Sequence, residues 1–475
     1  MRLAFVTPRY GADVLGGAEA LVREAAHGLA GRGHEVEVLT TCALDAATWR
    51  NELPEGTLAD GAVTVRRHPT VATDDPARRD ALDHRVLAGG NVSDADELAW
   101  AASRYEAPGL VRHLVEEGGG YDAVLFAPYL AWTTLRCLPL VAPHSVLVPC
   151  LHDEPAARLR SVRALLAGAG SLWFLSEPEH GLAHRLAPLA AHRVVGAGVG
   201  VPAGYDPEGF RRRHGIARPF ALYAGRREDG KGWPQALAGF AVAVDRHGLE
   251  LDLVTIGTPG APQVPSSLSG RVRSLGFLAA SEVPDAFAAA TAYLQPSVHE
   301  SFSRTVMESW LAGTPVVAAT AGEVVAWHCE RSGGGLLYGD ELELAACLRA
   351  LCEQPAAAGA LAEAGRRYVL EHCTWPPVLD SMESALEDLG REGPDCAGAL
   401  SAGVRRDVAA ERSSLAAPSG PRAPLSEWLP APGAGVPAWG TAGAGVPVWG
   451  TAAGTLARRL GRAVRGAVRG WRDGG

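Results

Sequence analysis

Apolar runs alternate with amphipathic stretches along the first 200 residues. Residues 3–7 are a short apolar run typical of a buried strand. Residues 18–30 predict a helix with one apolar face, made of Leu21, Val22, Ala25, Ala26 and Leu29. Further strands are predicted at residues 35–40, 63–66, 123–126, 145–149 and 172–175. Strands and helices in alternation, joined by short connections, predict a parallel sheet with helices on both faces.

A second alternating series begins near Phe220. Strands are predicted at residues 220–224, 251–256, 292–295 and 315–318, and helices at 233–245, 284–290 and 305–312. The pattern therefore predicts an α/β protein with two doubly wound domains that face each other. Because ligands of open parallel sheets bind beyond the carboxyl ends of the strands, we expect the site in the interdomain cleft.

The composition changes near residue 390, where Pro, Gly, Ala and Ser become dominant and residues 433–442 are nearly repeated as 443–452. Such a composition predicts a flexible, disordered linker over residues 390–454. Residues 455–475 are basic, and two readings stay open: a helix lying on a membrane surface, or a solvated tail. The predicted domains are 1–205, 206–370, a helix at 371–389 that crosses back to the first domain, the linker and the tail.

Charge and cysteine usage narrow the class of protein. The net charge of −9 argues against a protein that mainly coats nucleic acid. The eight cysteines are scattered, without a C-x-x-C motif, which is typical of a reducing compartment. The sequence starts without a charged leader and contains no apolar run of bilayer length. We therefore expect a cytoplasmic protein, with a peripheral location at the inner face of the plasma membrane if the tail binds lipid.

The segment after the strand at 292–295 carries the first candidate chemistry. Residues 296–303 form a predicted loop, and a helix is predicted to begin near Ser303 or Arg304, with Ser301 and Ser303 as N-cap candidates. The free N–H groups of a helix start can bind a diphosphate. Glu300 and Glu308 are eight positions apart, or roughly 12 Å along a helical path. Each carboxylate can accept hydrogen bonds from two hydroxyls of a sugar.

A second loop follows the strand at 220–224. Gly225 opens it, and Arg226 and Lys231 place two cations in it, which suits a pyrophosphate that gains charge as it departs. The other charged residues of this loop, Arg227, Glu228 and Asp229, are interpreted as solvated.

These segments, in this order, resemble the retaining glycosyltransferases of family 4, which have the GT-B fold of two facing Rossmann-like domains. The matching motifs are Gly225-Arg226…Lys231-Gly232, Pro296-Ser297…Glu300-Ser301-Phe302…Glu308, and Ala312-Gly-Thr-Pro-Val-Val-Ala318, which is one residue short between Ala and Gly. The resemblance extends over roughly residues 1–389. It implies that Arg226 and Lys231 hold the diphosphate, Glu308 the ribose and Glu300 the donor sugar. Ser301 stands where the family favours glycine, and with Phe302 and Ser303 it joins the donor-binding set.

The resemblance also implies roles for residues of the first domain. Gly16 and Gly17 end the loop after the first strand, and in similar enzymes this loop lies over the donor phosphates and the acceptor. A purely structural turn is the alternative. His152 follows the strand at 145–149, where the family often has a histidine near the transferred sugar. A lone histidine is otherwise more often structural.

The expected activity is transfer of a hexose-type sugar from a nucleotide-diphosphate donor to a hydroxyl of a glycan or lipid-linked glycan. Retention at the anomeric carbon and independence from metals and cofactors are expected. Asp94 and Asp96 mimic a metal-binding D-x-D motif, but they precede a helix and are interpreted as capping residues. The alternatives are a same-fold epimerase or phosphorylase, or a catalytically silent nucleotide-sugar sensor or membrane scaffold.

Overall fold

A computed structural model describes residues 1–14, 16–72, 75–88 and 92–391. The predicted linker and the predicted basic tail therefore lie outside the described residues, apart from the end of the last helix. Within the described ranges, two compact units are separated between Gly198 and Val199, and the chain from Val378 onward belongs to the first unit. No described helix combines the length and the apolar character that crossing a membrane requires.

The first unit contains ten strands and seven helices among its described residues before Gly198. The strands are β1 Arg2–Val6, β2 Glu35–Thr41, β3 Gly56–Asp60, β4 Val63–His68, β5 Val71–Ala72, β6 Tyr105–Glu106, β7 Ala123–Phe126, β8 Ser145–Leu147, β9 Ser171–Phe174 and β10 His192–Val194. The helices are α1 Gly17–Gly31, α2 Pro76–Leu87, α3 Asp94–Ala101, α4 Pro108–Glu117, α5 Trp132–Cys137, α6 Arg160–Gly168 and α7 Glu177–Leu186.

Eight of these strands form one sheet in the order β10-β9-β8-β7-β1-β2-β4-β3. All its neighbours are parallel except the β3–β4 pair, and β5 pairs with β6 in a separate antiparallel ribbon. The strand order reverses between β1 and β7, so this is a doubly wound sheet. The apolar face predicted for α1 is confirmed, since its five residues are the buried ones.

The second unit is built on a six-stranded sheet. Its strands are β11 Phe220–Ala224, β12 Asp252–Ile256, β13 Val272–Gly276, β14 Ala292–Gln295, β15 Val316–Ala319 and β16 Gly335–Tyr338. Its helices are α8 Pro207–His214, α9 Trp233–Ala241, α10 Val283–Ala289, α11 Arg304–Leu311, α12 Glu323–Ser332, α13 Glu341–Glu353 and α14 Pro355–His372, and α15 Trp375–Arg391 follows. Helix α9 was predicted to reach residue 245, and a π-helical turn at Val242–Arg246 ends it early.

The order of the second sheet is β13-β12-β11-β14-β15-β16, and every pair is parallel. The order reverses between β11 and β14, the place where doubly wound sheets bind ligands. Both candidate loops of this unit start there, one after β11 and the other after β14. The two doubly wound sheets confirm the predicted fold class.

Helix α15 has charged contacts with the first unit. Arg32 at the end of α1 donates to Asp380 at 2.7 Å and to Glu383, and Arg193 in β10 pairs with Asp388. A Cβ atom on Gly28 would lie 2.7 Å from a methyl group of Leu379, so α1 and α15 are in close contact. These contacts explain why the chain from Val378 belongs with the first unit.

Packing of α14 against α11 depends on a glycine. A Cβ atom on Gly365 would lie 2.3 Å from the indole of Trp310, whose Nε1 donates to the carbonyl of Gly334 at 2.8 Å. Gly359 in the same helix has open space around it, with nothing within 4 Å of a Cβ position. Substituting the two glycines in turn therefore distinguishes the effect of side-chain packing from the effect of helix propensity.

We expect Gly365→Ala to destabilise the second unit by about 1–3 kcal/mol, because overpacking against the buried indole exceeds the gain in helix propensity. Gly359→Ala is the matched control and should stabilise the unit by about 0.5–1 kcal/mol. Unfolding of both purified variants with guanidinium measures the difference. Equal shifts in the two variants would show that the indole moves aside at no cost.

Candidate functional site

The two candidate loops of the second unit touch each other through their backbones. Gly232 ends the loop at 225–232 with φ of 69°, and a Cβ atom on it would lie 2.5 Å from the carbonyl oxygen of Pro296. Pro296 opens the loop that follows β14. A side chain at position 232 would thus be strained and would also push the second loop away.

Lys231 and Glu300 form an ion pair between these loops. The Nζ atom of Lys231 donates to Oε1 of Glu300 at 2.9 Å, with the side chains 29% and 17% exposed. The two residues were predicted to have separate roles, and in the structure they are joined by one hydrogen bond. A cation for an anionic group and an acceptor for hydroxyls therefore lie side by side at the reversal of strand order.

Two hydroxyl groups hold the first loop in place through three hydrogen bonds. The hydroxyl of Tyr223 donates to the carbonyl of Arg226 at 2.7 Å and to that of Lys231 at 3.2 Å. The hydroxyl of Thr258 donates to the carbonyl of Gly225 at 3.1 Å. Hydrogen bonds from these two side chains thus fix backbone carbonyls at both ends of the loop.

Arg226 and Arg227 differ sharply in their surroundings. Arg226 is 70% exposed and pairs with Glu228 at 3.0 Å. Arg227 was interpreted as a solvated charge, and this is wrong. Its Nη2 atom donates to the carbonyls of Pro259 and Gly260 at 2.8 and 2.7 Å. Burial lowers the pKa of its guanidinium, and the residue connects the loop to the chain that follows β12.

The last residue of the second loop, Ser303, has a left-handed backbone conformation and connects the loop to α11. Ser303 has φ of 70° and precedes Arg304, so the helix begins where sequence analysis placed it. Within the described chain, however, the Ser303 hydroxyl makes no capping hydrogen bond, and it accepts from Nε2 of Gln295 at 2.7 Å instead. The helical path assumed between Glu300 and Glu308 is also wrong, because the helix covers only the part from Arg304.

Ser301, Phe302 and Ser303 are buried, while Glu308 on α11 is half-buried. The Phe302 ring packs edge-on against His328, at 5.3 Å between ring centroids. Nδ1 of His328 is 2.9 Å from the hydroxyl of Tyr368, and burial lowers the pKa of the imidazole to about 3. This neutral ring gives Phe302 an apolar support and fixes the loop from inside.

In the first unit, Gly16 and Gly17 lie at the start of α1, in the loop after β1. A Cβ atom on Gly16 would lie 2.0 Å from the carboxylate of Glu19, which pairs with Arg9, whereas Gly17 has open space. The loop follows β1 as predicted, and β1 is a strand at which the order of this sheet reverses. A side chain would therefore be disfavoured at position 16 but would fit at position 17.

His152 follows β8 in a loop held by two acidic residues. Its Nδ1 atom is 3.7 Å from Oε1 of Glu154, which accepts from the hydroxyl of Tyr129 at 2.6 Å. The N–H of Leu151 donates to Glu179 at 2.6 Å, and Cys150 has φ of 53°. His152 thus lies beside a carboxylate on a sharply turned backbone.

Asp96 of the D-x-D segment is in the first turn of α3. Its carboxylate accepts from the hydroxyl of Ser93 at 3.0 Å and pairs with Arg85 at 3.1 Å. The hydroxyl of Ser93 in turn accepts from the N–H of Asp96, so the capping group is Ser93, one position before the residues proposed for it.

The segment that contains both loops of the second unit is similar to a known protein family. Residues 218–354 match the family of group 1 glycosyl transferases, and both loops of the second unit lie within the match. The chain is 26% identical over 377 residues to D-inositol 3-phosphate glycosyltransferase of Streptomyces avermitilis, covering 74% of this chain and 79% of that protein. It is 29% identical over 208 residues to 2-deoxystreptamine glucosyltransferase of Streptomyces kanamyceticus, covering 38% and 51% respectively.

Among solved structures, sucrose-phosphate synthase of Thermosynechococcus elongatus has a TM-score of 0.63 at 17% identity and covers 82% of this chain and 100% of its own. Anabaena HepE in complex with UDP-glucose has a TM-score of 0.59 at 17% identity, with the same coverage. The chain has the GT-B glycosyltransferase fold. At this identity the solved structures show its fold, while the group 1 match locates the family's segment around Lys231 and Glu300.

Glu179 of the first unit was not predicted from the sequence. Its two carboxylate oxygens accept from the N–H groups of Leu151 and Leu175, both at 2.6 Å. Burial raises its pKa to about 8, against the effect of these hydrogen bonds. The only sequence signal was Ser176 three positions earlier, a spacing that usually indicates a surface capping box. The Ser176 hydroxyl does accept from the N–H of Glu179 at 3.3 Å, and the Glu179 carboxylate in addition joins the loops after β8 and β9.

We expect Glu179→Gln to destabilise the first unit by about 1–3 kcal/mol, because the amide group turns a donor towards one of the two backbone donors. Hydrogen exchange of the Leu151 and Leu175 amides should accelerate in this variant. Glu177→Gln, in the same helical turn but exposed, is the control and should cost less than about 1 kcal/mol. Unchanged exchange at both amides would show that Glu179 does not hold these loops.

Proposed function

We propose that this glycosyltransferase moves a hexose-type sugar from a nucleotide-diphosphate donor to a hydroxyl of a glycan or lipid-linked glycan. Transfer retains the anomeric configuration, as in family 4, and requires no metal ion or other cofactor. The Anabaena neighbour is described with UDP-glucose, which makes this sugar nucleotide the first donor to test.

The observation that carries the proposal is the Lys231–Glu300 pair at the strand-order reversal. A diphosphate bears more negative charge than a carboxylate, so it is the stronger partner for the Lys231 ammonium group. When Lys231 turns to the diphosphate, Glu300 becomes available to accept hydrogen bonds from the hydroxyls of the attached sugar. One donor molecule thus satisfies both members of the pair at once.

The remaining donor contacts follow the family resemblance. Arg226 binds the diphosphate beside Lys231, which its 70% exposure allows. Glu308 binds the ribose from α11. Ser301, Phe302 and Ser303 are buried, so they act by shaping the backbone of the loop, and Gly225 and Gly232 do the same for the other loop. In the first unit, Gly16, Gly17 and His152 are proposed to contact substrate.

In the proposed reaction, the bond from the anomeric carbon to the diphosphate oxygen breaks. The acceptor oxygen bonds to the same face of the sugar, and its proton passes to an oxygen of the departing phosphate. Lys231 and Arg226 stabilise the negative charge that develops on that phosphate. The chain's main contribution is orientation and charge stabilisation.

A panel of nucleotide sugars, assayed for release of free nucleotide diphosphate with candidate acceptors, tests the activity. The anomeric configuration of the product, read by NMR, tests retention. Turnover should persist after removal of metals by a chelator. Donor binding without release for every acceptor would favour the silent sensor, and an inverted product would exclude the family 4 route.

We expect Lys231→Ala and Glu300→Ala each to lower turnover by about 100-fold or more, because each removes a group that acts on the reacting part of the donor. The free energy of unfolding should change by only about 0–1 kcal/mol, since the pair is partly exposed. Asp229→Asn, an exposed residue of the same loop, is the control and should retain activity. Near-normal turnover in either alanine variant would contradict the site assignment.

The basic segment at 455–475 is proposed to hold the enzyme at an anionic membrane surface. Sedimentation with anionic vesicles, with and without this segment, measures the effect. Equal binding of the full and shortened chains would refute the role.

A further inference from the structure

Three histidines of the first unit come together at the edge of its sheet. His180 and His184 are one turn apart on α7, and His192 begins the edge strand β10. Their ring centroids are 4.5, 4.8 and 5.1 Å apart. One nitrogen of each ring lies within 4.8 Å of the corresponding nitrogens of the other two. None of the three belongs to the proposed transfer chemistry.

Two of the rings have their Nδ1 side close to a fixed acceptor. Nδ1 of His192 donates to the carbonyl of Ala190 at 2.8 Å. Nδ1 of His180 is 3.6 Å from the carboxylate of Glu177. Histidine ligands of metals usually donate their second N–H to such a carbonyl or carboxylate, which orients the ring and selects the tautomer. The hydrogen bond to Ala190 leaves Nε2 of His192 as its ligand atom, and the Nδ1 side of His180 lies beside Glu177.

The Nε2 atom of His180 is a second indication of a ligand. It is buried and, within the described part of the chain, it has no hydrogen-bond partner. A buried polar atom without a partner is costly, and such atoms commonly mark a bound ion or water. His184 and His192 are exposed, so their rings can reorient towards a shared ion.

We infer that His180, His184 and His192 form a Zn²⁺ site with three imidazole ligands and a water molecule in the fourth position. Imidazole nitrogen suits Zn²⁺, whereas Mg²⁺ and Ca²⁺ prefer oxygen ligands. Zn–N bonds of about 2.0–2.1 Å in a tetrahedron place the nitrogens roughly 3.4 Å apart. The exposed rings of His184 and His192 thus need to close inward by about an ångström, within their rotamer freedom.

A bound ion would connect α7 directly to β10. Seven backbone positions separate His184 from His192, and a shared metal closes this short loop at the open edge of the sheet. Helix α7 also carries Glu179, which holds the loops after β8 and β9. The ion would therefore stabilise the edge strand and the helix that positions the His152 loop together.

The test uses the full chain, stripped of metal by a chelator and then titrated with ZnCl₂ by calorimetry. We expect one high-affinity site, and with Co²⁺ as a probe, visible absorption bands of a four-coordinate ion. His184→Gln and His192→Gln should each weaken Zn²⁺ binding by more than the roughly 10–100-fold typical of changes around a metal ligand. His84→Gln, an exposed histidine of α2, is the matched control and should bind Zn²⁺ as the parent chain does.

The variant with all three histidines replaced by glutamine should lose the site and the Co²⁺ bands while keeping its circular dichroism spectrum. Hydrogen exchange of β10 should slow on addition of Zn²⁺ in the parent chain but not in this variant. Zn²⁺ affinity that is equal in the parent chain, the single variants and the triple variant would overturn the inference. These readouts are independent of sugar transfer, so they stand apart from the proposed function.

Discussion

The parallel pairing of β11 with β14 is the constraint on which the second unit depends. Because the strand order reverses between these two strands, the chain leaves both at the same edge of the sheet and turns away on opposite sides. The loops at 225–232 and 296–303 are therefore neighbours, although about 70 residues of chain separate them. Gly232 lets them approach to backbone contact, and Lys231 and Glu300 then meet across the gap.

The support for this edge comes from side chains that face inward. Tyr223 and Gln295, at the ends of the two strands, hold the loops from below, and Phe302 is packed over the neutral ring of His328. Helix α11 is held in turn by the contact between Trp310 and Gly365. A site whose charged groups are on loops thus has its geometry determined by buried residues of the strands and helices beneath them.

Sequence patterns predicted much of this arrangement. Apolar runs bounded by glycine and proline located most strands of both sheets, and the apolar face of α1 was predicted residue by residue. Lys231 and Glu300 were each identified as site residues, in separate segments that follow strands. Their direct contact could not be predicted, since it depends on strand order, which no local pattern contains.

The failures share a physical cause. Ser303 and Arg227 have side chains whose hydrogen-bond partners lie outside their own turn of the chain: Gln295, eight positions before Ser303, and the carbonyls after β12. Local rules gave each residue its commonest task, namely a cap or a solvated charge. Tertiary contacts offered each a different partner, and a polar group near the core takes the partner that keeps it hydrogen-bonded.

The Lys231–Glu300 pair has a further electrostatic consequence. An anion site made of lysine alone would bind any phosphate or chloride from solution, whereas in the proposed donor site Lys231 already has Glu300 as its counter-ion. A small anion gains only Lys231 and leaves Glu300 without a partner, while a ligand that combines negative charge with hydroxyls satisfies both. Since a partly exposed ion pair contributes only about 0–1 kcal/mol, a matching ligand opens it at little cost. In the proposed site, the pair would thus favour ligands that carry both a negative charge and hydroxyl groups over simple anions.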